Sequence, residues 1–427
     1  MRQSQLFGKT LRESPKDEVS VNAQLLERAG FVYKTMAGVY DYLPLGWRVL
    51  NKINQIIREE MNAIGGQELL LSSMQPKERW EKTGRWQTLG EEVMYQFKDR
   101  SGRELGLAPT HEEALAEIAL RTISSYKDLP LYVYQIQTKF RNELRAKSGL
   151  LRGREFLMKD LYSFHASKED LDRYYKIADI AYRKIFERLG LKVYATEASG
   201  GSFTQEYTHE YQVLSEAGED IIFYCDSTAG GCGYSQNKEV NQLKDGDKCP
   251  KCRQKIKSGK SIEVGNIFKL GTKFSEAVGL NYTDDKGQKH PVVMGSYGIG
   301  PGRIMGSIVE VCHDEKGIIW PENVAPFKIH LIELKPRDTA DSGVKKQAEE
   351  LYEKLLAQNI EVLYDNRDEH TPGEKFADAD LLGIPVRAVI SEKTLQKKGV
   401  EIKNRSEKES RIVSADELLK EFLKKSK

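Results

Sequence analysis

The chain has 427 residues and a nearly balanced charge, with 66 Lys and Arg against 64 Asp and Glu. Hydrophobic residues make up 39% and charged residues 30%, which is typical of a soluble globular protein with about two or three domains. No apolar run approaches the roughly twenty residues of a membrane span, and the first residues are polar and charged rather than a signal sequence. We therefore expect a cytoplasmic protein.

An apolar stripe at helical spacing marks the first long predicted helix, and its members are Leu50, Ile53, Ile57, Met61 and Ile64. Residues 67–74 then favour a strand, which ends before Pro76. By itself this pattern is typical of an ordinary core helix.

The segment Thr110-His111-Glu112 follows Pro109. Taken alone, a hydroxyl next to glutamates is typical of a helix N-cap with acidic residues in the first turn.

A basic segment follows, with seven Lys or Arg between Lys139 and Lys159 against Glu143 and Glu155. Arginine forks suit phosphate oxygens because each donates parallel hydrogen bonds and stays charged. The ring of Phe156 could stack on a base. A solvated basic hairpin over a core phenylalanine remains the alternative.

Four cysteines lie close together in sequence, as a C-x6-C and a C-x2-C pair separated by sixteen residues: Cys225, Cys232, Cys249 and Cys252. This spacing predicts a structural zinc site, since cytoplasmic thiols stay reduced. Free thiols or a metal-free hairpin remain alternatives.

A glycine-rich turn at 295–302 leads into Arg303 and an apolar run with helical spacing. Glycines allow the backbone to approach a ligand, and a helix start favours anions. Alone, such a turn is usually only a tight connection.

From Ala325 onward, apolar strand-like runs alternate with helical stretches, which favours an α/β layer with a partly parallel sheet. This region has twenty Lys or Arg and twenty Asp or Glu, so its charge gives no sign of RNA binding.

Three of these features together resemble the motifs of class II aminoacyl-tRNA synthetases. The F-R-x-E hairpin closing on R-x-x-x-F resembles motif 2, and the glycine-rich turn ending in arginine resembles motif 3. The helix and strand before Pro76 resemble motif 1. Segments 107–113 and 158–165 look like those of prolyl-tRNA synthetases, and this resemblance covers essentially the whole chain. It implies ATP-dependent ligation of proline to tRNA(Pro) through a prolyl-adenylate, with ATP and Mg²⁺ required.

The resemblance also implies roles for individual residues. Arg141 and Arg303 are the expected catalytic residues, and the expected ATP-binding residues are Arg141, Glu143, Arg152, Phe156 and Arg303. The expected proline-binding residues are Thr110, Glu112, Arg141, Phe164, His165 and Ser296. Arg145 is expected to contact the tRNA acceptor end, and Arg367, Lys375 and Asp378 to read the anticodon.

The expected fold is α+β, with an antiparallel-sheet catalytic core, a small cysteine-containing insertion and a C-terminal α/β anticodon-binding domain. The expected divisions are residues 1–205 and 263–324 for the two parts of the catalytic domain, 206–262 for the short insertion with the cysteine module, and 325–427 for the anticodon-binding domain. The resemblance also implies a homodimer.

The short insertion leaves no room for the editing domain of many bacterial relatives, so we expect a separate deacylase to hydrolyse mischarged tRNA. Two other functions remain open from the residues. One is a related synthetase for threonine, serine or glycine, and the other is a catalytically silent paralogue that binds RNA.

Overall fold

The computed structural model describes residues 1–15, 18–201, 203–204, 206–335 and 343–425. The chain forms two compact units. Unit 1 consists of Met1–Tyr33, Asp41–Lys52 and Ile308–Lys427, and unit 2 consists of Lys34–Tyr40 and Ile53–Ser307. The domain divisions expected from the sequence remain a prediction.

The helices of the described residues are α1 (Val21–Arg28), α2 (Pro44–Ala63), α3 (Lys77–Glu81), α4 (Arg85–Val93), α5 (Glu112–Ala119), α6 (Lys168–Arg188), α7 (Lys273–Val278), α8 (Pro301–Val311), α9 (Val344–Ala357), α10 (Pro372–Leu382), α11 (Glu392–Gln396) and α12 (Ala415–Lys425). Within this described part, no helix has both the length and the apolar character that crossing a bilayer requires.

The strands are β1 (Val32–Met36), β2 (Val39–Tyr42), β3 (Gln67–Glu68), β4 (Met74–Pro76), β5 (Gln96–Lys98), β6 (Glu104–Leu107), β7 (Leu131–Phe140), β8 (Glu155–His165), β9 (Tyr194–Ala198), β10 (Thr208–Leu214), β11 (Asp220–Cys225), β12 (Ser235–Asn237), β13 (Ile256–Gly271), β14 (Asn281–Thr283), β15 (Lys289–Pro291), β16 (Val293–Ile299), β17 (His313–Asp314), β18 (Gly317–Ile318), β19 (Ile329–Leu334), β20 (Val362–Asp365), β21 (Val386–Ser391), β22 (Val400–Asn404) and β23 (Arg411–Val413).

Unit 2 is built on a nine-stranded sheet with the order β10-β9-β12-β11-β13-β16-β8-β7-β3. The central pairs β13–β16, β16–β8 and β8–β7 are antiparallel, whereas β3 pairs in parallel with β7 and β12 with β9. The predicted antiparallel catalytic core is confirmed. The short insertion after β9 adds strands to this sheet rather than forming a separate body of its own.

The predicted helix before the basic hairpin is α2, and its apolar stripe is buried through Met61. Ile64 lies just beyond the helix end, because Gly65 has a φ of +84° and such a glycine terminates helices. The single strand expected over 67–74 was wrong. The segment instead contains two short strands, β3 and β4, which lie in different sheets. Between them, the Leu71 backbone N–H donates to the Gln135 side chain rather than to the backbone of a neighbouring strand.

The C-terminal part of unit 1 contains a five-stranded sheet with the order β20-β19-β21-β22-β23. Strands β20, β19 and β21 are parallel, and β22 and β23 are antiparallel additions, so the predicted partly parallel sheet is confirmed. The helix α10 begins with a capping box of Thr371 and Glu374 and ends at Gly383, which has a φ of +70°. A side chain at Gly383 would lie 2.2 Å from the Ile318 carbonyl oxygen, so only glycine fits there.

Candidate active site

Unit 2 contains a cleft with a cavity volume of about 200 Å³. Its lining comes from β8, β13 and β16, from the β7–β8 connection and from the first turns of α5 and α8. The lining includes Thr110, Glu112, Arg141, Glu143, Arg152, Phe156, Met158, Asp160, Tyr162, Phe203, Glu263, Phe268, Ser296 and Arg303.

Strand register determines which side chains reach this cleft. Tyr162 of β8 lies opposite Ser296 of β16, and Phe156 lies opposite Lys139 of β7. Because alternate residues of a strand face the same side, every second residue of β8 lines the cleft: Phe156, Met158, Asp160 and Tyr162. The sequence analysis missed Asp160 and Tyr162, although this alternation from Phe156 could have identified them.

Two of the predicted ATP-binding arginines are held by carboxylates and carbonyls at the mouth of the cleft. Arg152 donates to Glu143 Oε2 at 2.9 Å and to Glu219 Oε2 at 2.7 Å. Arg303 donates to the Glu263 carbonyl oxygen at 2.9 Å. These contacts orient both guanidinium groups within one region, and they use the oxygen acceptors that phosphates also provide.

Arg141 lies deeper in the same cleft, with its guanidinium carbon 5.3 Å from the centre of the Phe156 ring. Burial and the nearby Arg303 lower the pKa of Arg141, yet an arginine remains protonated at any working pH. The arrangement therefore concentrates positive charge beside an aromatic face.

At the inner end, Thr110, Glu112 and Ser296 form a compact polar group. The Thr110 hydroxyl donates to Glu112 Oε2 at 2.6 Å, and the Ser296 hydroxyl donates to Glu112 Oε1 at 3.3 Å. Glu112 lies in the first turn of α5, as the N-cap interpretation requires, but the residue at the cap position is His111 and has no side-chain capping bond. The Thr110 hydroxyl thus serves the carboxylate rather than the helix end.

A buried arginine that the sequence analysis did not single out lies behind this group. Arg85 is 3.2 Å from Glu112 Oε2 and 3.0 Å from Glu113 Oε1, and all three side chains are buried. Its guanidinium carbon lies 5.2 to 5.4 Å from the ring centres of Trp80, Phe203 and Phe274. Sequence offers no signal for this role, because α4 and α5 meet only in the fold.

A second buried network supports the same end of the cleft. The Tyr162 hydroxyl accepts from the His111 backbone N–H at 3.0 Å and donates to Asp160 at 3.0 Å. Lys139 pairs with Asp160 at 2.8 Å and with His111 Nδ1 at 2.7 Å. Burial, followed by the charge of Lys139, lowers the pKa of His111 to about 4. His111 is therefore neutral, and its Nε2 donates to the Ser72 carbonyl oxygen.

The apolar wall of the cleft differs from the expectation. Within the described residues, the lining includes neither Phe164 nor His165. Phe164 is buried deeper, in a core cluster with Phe274 and Met294. Phe203 and Phe268 line the cleft instead, with ring centres 4.9 Å apart.

His165 lies on the opposite face of β8. The cleft-facing residues of this strand have even numbers, and successive residues of a strand point to opposite faces. Its Nδ1 lies 2.6 Å from Asp170 Oδ2, and its ring is 5.9 Å from the ring of Tyr132. The expectation that His165 walls the pocket is therefore not supported by its position.

Residues 95–312 match the family described as "tRNA synthetase class II core domain (G, H, P, S and T)", and residues 324–425 match the family described as "Anticodon binding domain". The proline–tRNA ligase of Moorella thermoacetica is 35% identical, covering 96% of both chains. That of Pelotomaculum thermopropionicum is 36% identical, covering 98% of both. The chain belongs to the proline–tRNA ligases. It is an enzyme that uses ATP to join L-proline to tRNA(Pro) through prolyl-adenylate. This result excludes the two alternatives that the sequence left open, a synthetase for threonine, serine or glycine and a catalytically silent paralogue.

Two solved structures share the fold of this ligase. The prolyl-tRNA synthetase of Cryptosporidium parvum, complexed with L-proline and AMP, has a TM-score of 0.76 at 19% identity, covering 94% of this chain and 74% of that chain. The Giardia lamblia enzyme in complex with prolyl-adenylate has a TM-score of 0.77 at 18% identity, covering 93% and 75%. The predicted α+β class is confirmed.

The ligase is shorter than its curated relatives. The alignment with the Moorella protein runs over 557 positions, whereas this chain has 427 residues, so well over a hundred positions are occupied only in the relative. In this chain, β10, β11 and β12 are the strands between β9 and β13 in the described residues. The chain therefore lacks a large insertion.

The four cysteines of the ligase lie together beside β11. Their sulfur atoms are all within 4.8 Å of one another, with Cys225 and Cys252 at 3.3 Å and Cys232 and Cys249 at 3.6 Å. The structure thus brings together the whole predicted metal-binding set.

The three predicted anticodon residues lie in unit 1 and form one network. Arg367 pairs with Asp365 and with Asp378, at 2.7 Å and 2.9 Å. Lys375 is buried and donates to the Glu333 carbonyl oxygen at 2.8 Å. This position suits Lys375 to support the surface rather than to contact bases.

The loop between β7 and β8 carries the predicted acceptor-end residue. Arg145 is exposed there, next to Leu144, which is 88% exposed. Leu144 and Arg145 therefore face solvent, in the loop that also contributes Arg141 and Arg152 to the cleft.

Proposed function

We propose that the cleft of unit 2 binds proline and ATP side by side, with the amino acid at Glu112 and the phosphates at the arginines. The observation that supports this most directly is the presence of the buried Glu112 carboxylate and three arginines in a single cleft. The proline ammonium would replace hydroxyl donors on Glu112, and the Thr110 and Ser296 hydroxyls would turn to accept from it. Phe203 and Phe268 would contact the ring.

For ATP, we assign the base to Phe156 and Glu143, and the phosphates to the arginines. Phe156 stacks against the adenine, and Glu143 accepts a hydrogen bond from its exocyclic amine. Arg152 and Arg303 exchange their present oxygen acceptors for the outer phosphates. Arg141, between the two ends, contacts both the proline carboxylate and the α-phosphate.

In the first step a proline carboxylate oxygen attacks the α-phosphorus, and pyrophosphate leaves. The reaction needs no protein nucleophile, so the chain contributes orientation and charge stabilisation. Arg141 and Arg303 carry this stabilisation, because their charges lie where negative charge develops. In the second step the terminal ribose hydroxyl of the tRNA attacks the carbonyl carbon, and AMP leaves.

The cleft also has a carboxylate that suits Mg²⁺. Glu263 lines it, and carboxylate oxygens are the ligands that this hard cation prefers. Glu263 is the residue that would ligate Mg²⁺. The ion would neutralise the departing pyrophosphate.

The cysteine cluster fits a structural zinc ion. Tetrahedral Zn²⁺ with Zn–S bonds of about 2.3 Å places its sulfurs roughly 3.8 Å apart, close to the spacings of these four thiols. Cys225, Cys232, Cys249 and Cys252 would ligate the ion as thiolates and fix the connection between β11 and β13.

For tRNA, we assign Arg145 to the acceptor end and Arg367 with Asp378 to the anticodon. Arg145 is supported by its exposure beside the cleft. Arg367 and Asp378 are supported by the match of residues 324–425 to the anticodon-binding family. Lys375 would position Arg367 through Asp365, because the Lys375 ammonium group lies 3.9 Å from the Asp365 carboxylate.

We further propose that the enzyme acts as a homodimer in the cytoplasm, with a separate deacylase for mischarged tRNA. The dimer and the location follow the family resemblance. The deacylase follows from the missing insertion, since the small proline pocket admits alanine as well.

The test is amino-acid-dependent ATP–pyrophosphate exchange with proline, alanine, cysteine and threonine. Exchange should be strongest with proline. The variant Arg141→Ala should lose at least a hundredfold in kcat/KM, by analogy with the loss of one transition-state donor. Unchanged exchange in this variant would refute the assignment of Arg141.

A further inference from the structure

The N-terminal arm, residues 2–12, is attached to the C-terminal sheet of unit 1. Arg2 forms a parallel bridge with Tyr364 of the edge strand β20, and its guanidinium donates twice to Glu349, at 2.6 and 2.7 Å. Gln3 contacts the buried His330 at 2.7 Å. The first residues of the arm therefore pack against the sheet that carries the anticodon-binding match.

The far end of the arm is anchored as well. The Thr10 hydroxyl donates to Asp378 Oδ1 at 2.7 Å, and the Leu11 backbone N–H donates to the Arg28 carbonyl oxygen at 2.8 Å. A side chain at Gly30 would lie 3.1 Å from the Lys9 carbonyl oxygen, so the backbones pack closely there. Because both ends are fixed, the residues between them are presented in a defined position.

Between these anchors the arm and the loop after β20 enclose a cavity with about 550 Å³ of internal space. Most of its lining carries hydrogen-bonding groups, and these include the basic Lys9, Arg367 and His370 as well as the carboxylates of Asp368 and Glu369. Arg367 and the partner of Thr10, Asp378, are the residues assigned above to the anticodon.

The arm also differs in composition from the domain it joins. Residues 1–12 contain three basic residues and no acidic one, whereas the region from Ala325 has twenty of each. Phe7 is 76% exposed and Lys9 is exposed as well. An exposed aromatic ring two residues from an exposed lysine is a combination that suits single-stranded nucleic acid, because a base can stack on the ring and a phosphate can pair with the cation.

We propose that the N-terminal arm forms half of the anticodon-binding site, with Phe7 stacking on an unpaired anticodon-loop base and Lys9 contacting the adjacent phosphate. This inference rests on the proposed function of the C-terminal region. The cavity between the arm and the loop 366–370 receives the base edges, and Lys9, which lines this cavity, supplies a positive charge beside them.

The experiment compares two reactions of the full chain carrying Phe7→Ala or Lys9→Ala. Proline-dependent ATP–pyrophosphate exchange needs no tRNA and should stay at the wild-type rate. Aminoacylation of a tRNA(Pro) transcript should lose about tenfold or more in kcat/KM in Phe7→Ala, as expected for one stacked base. Phe7→Tyr should keep the wild-type kcat/KM because it keeps an aromatic ring, whereas Phe7→Leu should show the same loss as Phe7→Ala. Lys408→Ala, at an exposed lysine of the same unit, is the charge control.

A transcript with substituted anticodon bases locates the contact. If Phe7 acts at the anticodon loop, the penalty of Phe7→Ala should shrink on this transcript, because the two changes remove the same interaction. An undiminished penalty, or wild-type aminoacylation by Phe7→Ala, would overturn the proposal. A change in the sedimentation coefficient with normal tRNA kinetics would do the same, by assigning the arm to a protein contact. Loss of exchange in the wild-type chain would instead refute the proposed function itself.

Discussion

At the residue scale, the charge balance behind the proline end depends on one arginine. Glu112 and Glu113 are adjacent and fully buried, and Arg85 contacts both. Burial raises the pKa of Glu113, and Arg85 opposes that rise. Two neighbouring buried carboxylates cannot both stay ionised without a cation. Arg85 thus places a cation against both carboxylates, at the end of the cleft that we assign to the proline ammonium.

We therefore predict that Arg85→Met raises the KM for proline in the exchange assay by roughly tenfold to a hundredfold, since removing one partner of a buried ion pair is costly. The KM for ATP should change little, because Arg85 contacts the amino-acid end only. Arg85→Lys should give an intermediate KM, because it keeps the charge but loses the planar fork.

The matched control for Arg85 is Arg79→Met. Arg79 also pairs with a glutamate of α5, Glu117 at 2.7 Å, but Glu117 does not line the cleft. If both variants raised the proline KM equally, the effect would come from docking of α5 and not from the charge at Glu112.

His111 gives unit 2 a pH-dependent stability. Its pKa is about 4 in the folded chain, below the ordinary 6.5, so the unfolded chain binds the proton first as the pH falls. The neutral His111 therefore contributes to the free energy of unfolding above pH 6.5, and this contribution is lost as the pH falls towards 4. The loss amounts to something on the order of 3 kcal/mol.

The variant His111→Asn should accordingly show a weaker fall in stability between about pH 7 and pH 4.5, a range set by the linkage between proton binding and folding. Chemical unfolding at several pH values, compared with the wild-type chain, isolates this residue from the carboxylates that titrate in both. Parallel pH profiles for the two proteins would contradict the neutral, buried His111.

At the element scale, the cysteine module joins β11 to β13 within the large sheet. Cys225 ends β11, and Cys249 and Cys252 lie just before β13 begins at Ile256. The intervening 226–255 segment has little regular structure, with β12 as its short strand. A metal ion would therefore fix a connection that has little apolar core of its own.

We predict about one zinc ion per chain, since four thiolates complete a tetrahedral site. Cys249→Ser should lower the metal content and the melting temperature. Cys312→Ser should change neither, because Cys312 lies outside the cluster. Elemental analysis after purification without chelators measures the metal. A metal-free chain with four thiols reactive towards a disulfide reagent would contradict the zinc site.

At the scale of the whole molecule, the chain lacks a large insertion, and our proposal assigns the correction of mischarged tRNA to a separate deacylase. A pocket that accepts proline cannot strongly reject smaller amino acids, because each methylene contributes only about 1 to 3 kcal/mol of discrimination. We predict that the chain activates alanine measurably and does not hydrolyse alanyl-tRNA(Pro).

Incubating preformed alanyl-tRNA(Pro) with the enzyme tests this prediction. The ester should decay at the rate of the enzyme-free control. Faster decay that follows the enzyme concentration would show a hydrolytic site elsewhere in the chain.

The sequence by itself determined the family, the order of the motifs and the alternation of strands and helices, because local residue patterns carry this information. The motifs identified residues that the structure brings into one cleft, among them Arg141, Arg152, Arg303, Phe156, Thr110, Glu112 and Ser296. The four cysteines were likewise identified from spacing alone.

Only the tertiary structure decided which residues surround these motifs. Strand register placed His165 on the far side of the sheet, and a loop delivered Phe203 to the wall that Phe164 was expected to form. Arg85 reaches Glu112, and Thr10 reaches Asp378, across 27 and 368 residues of chain. Such contacts depend on how distant elements pack, and no local pattern of one sequence records that packing.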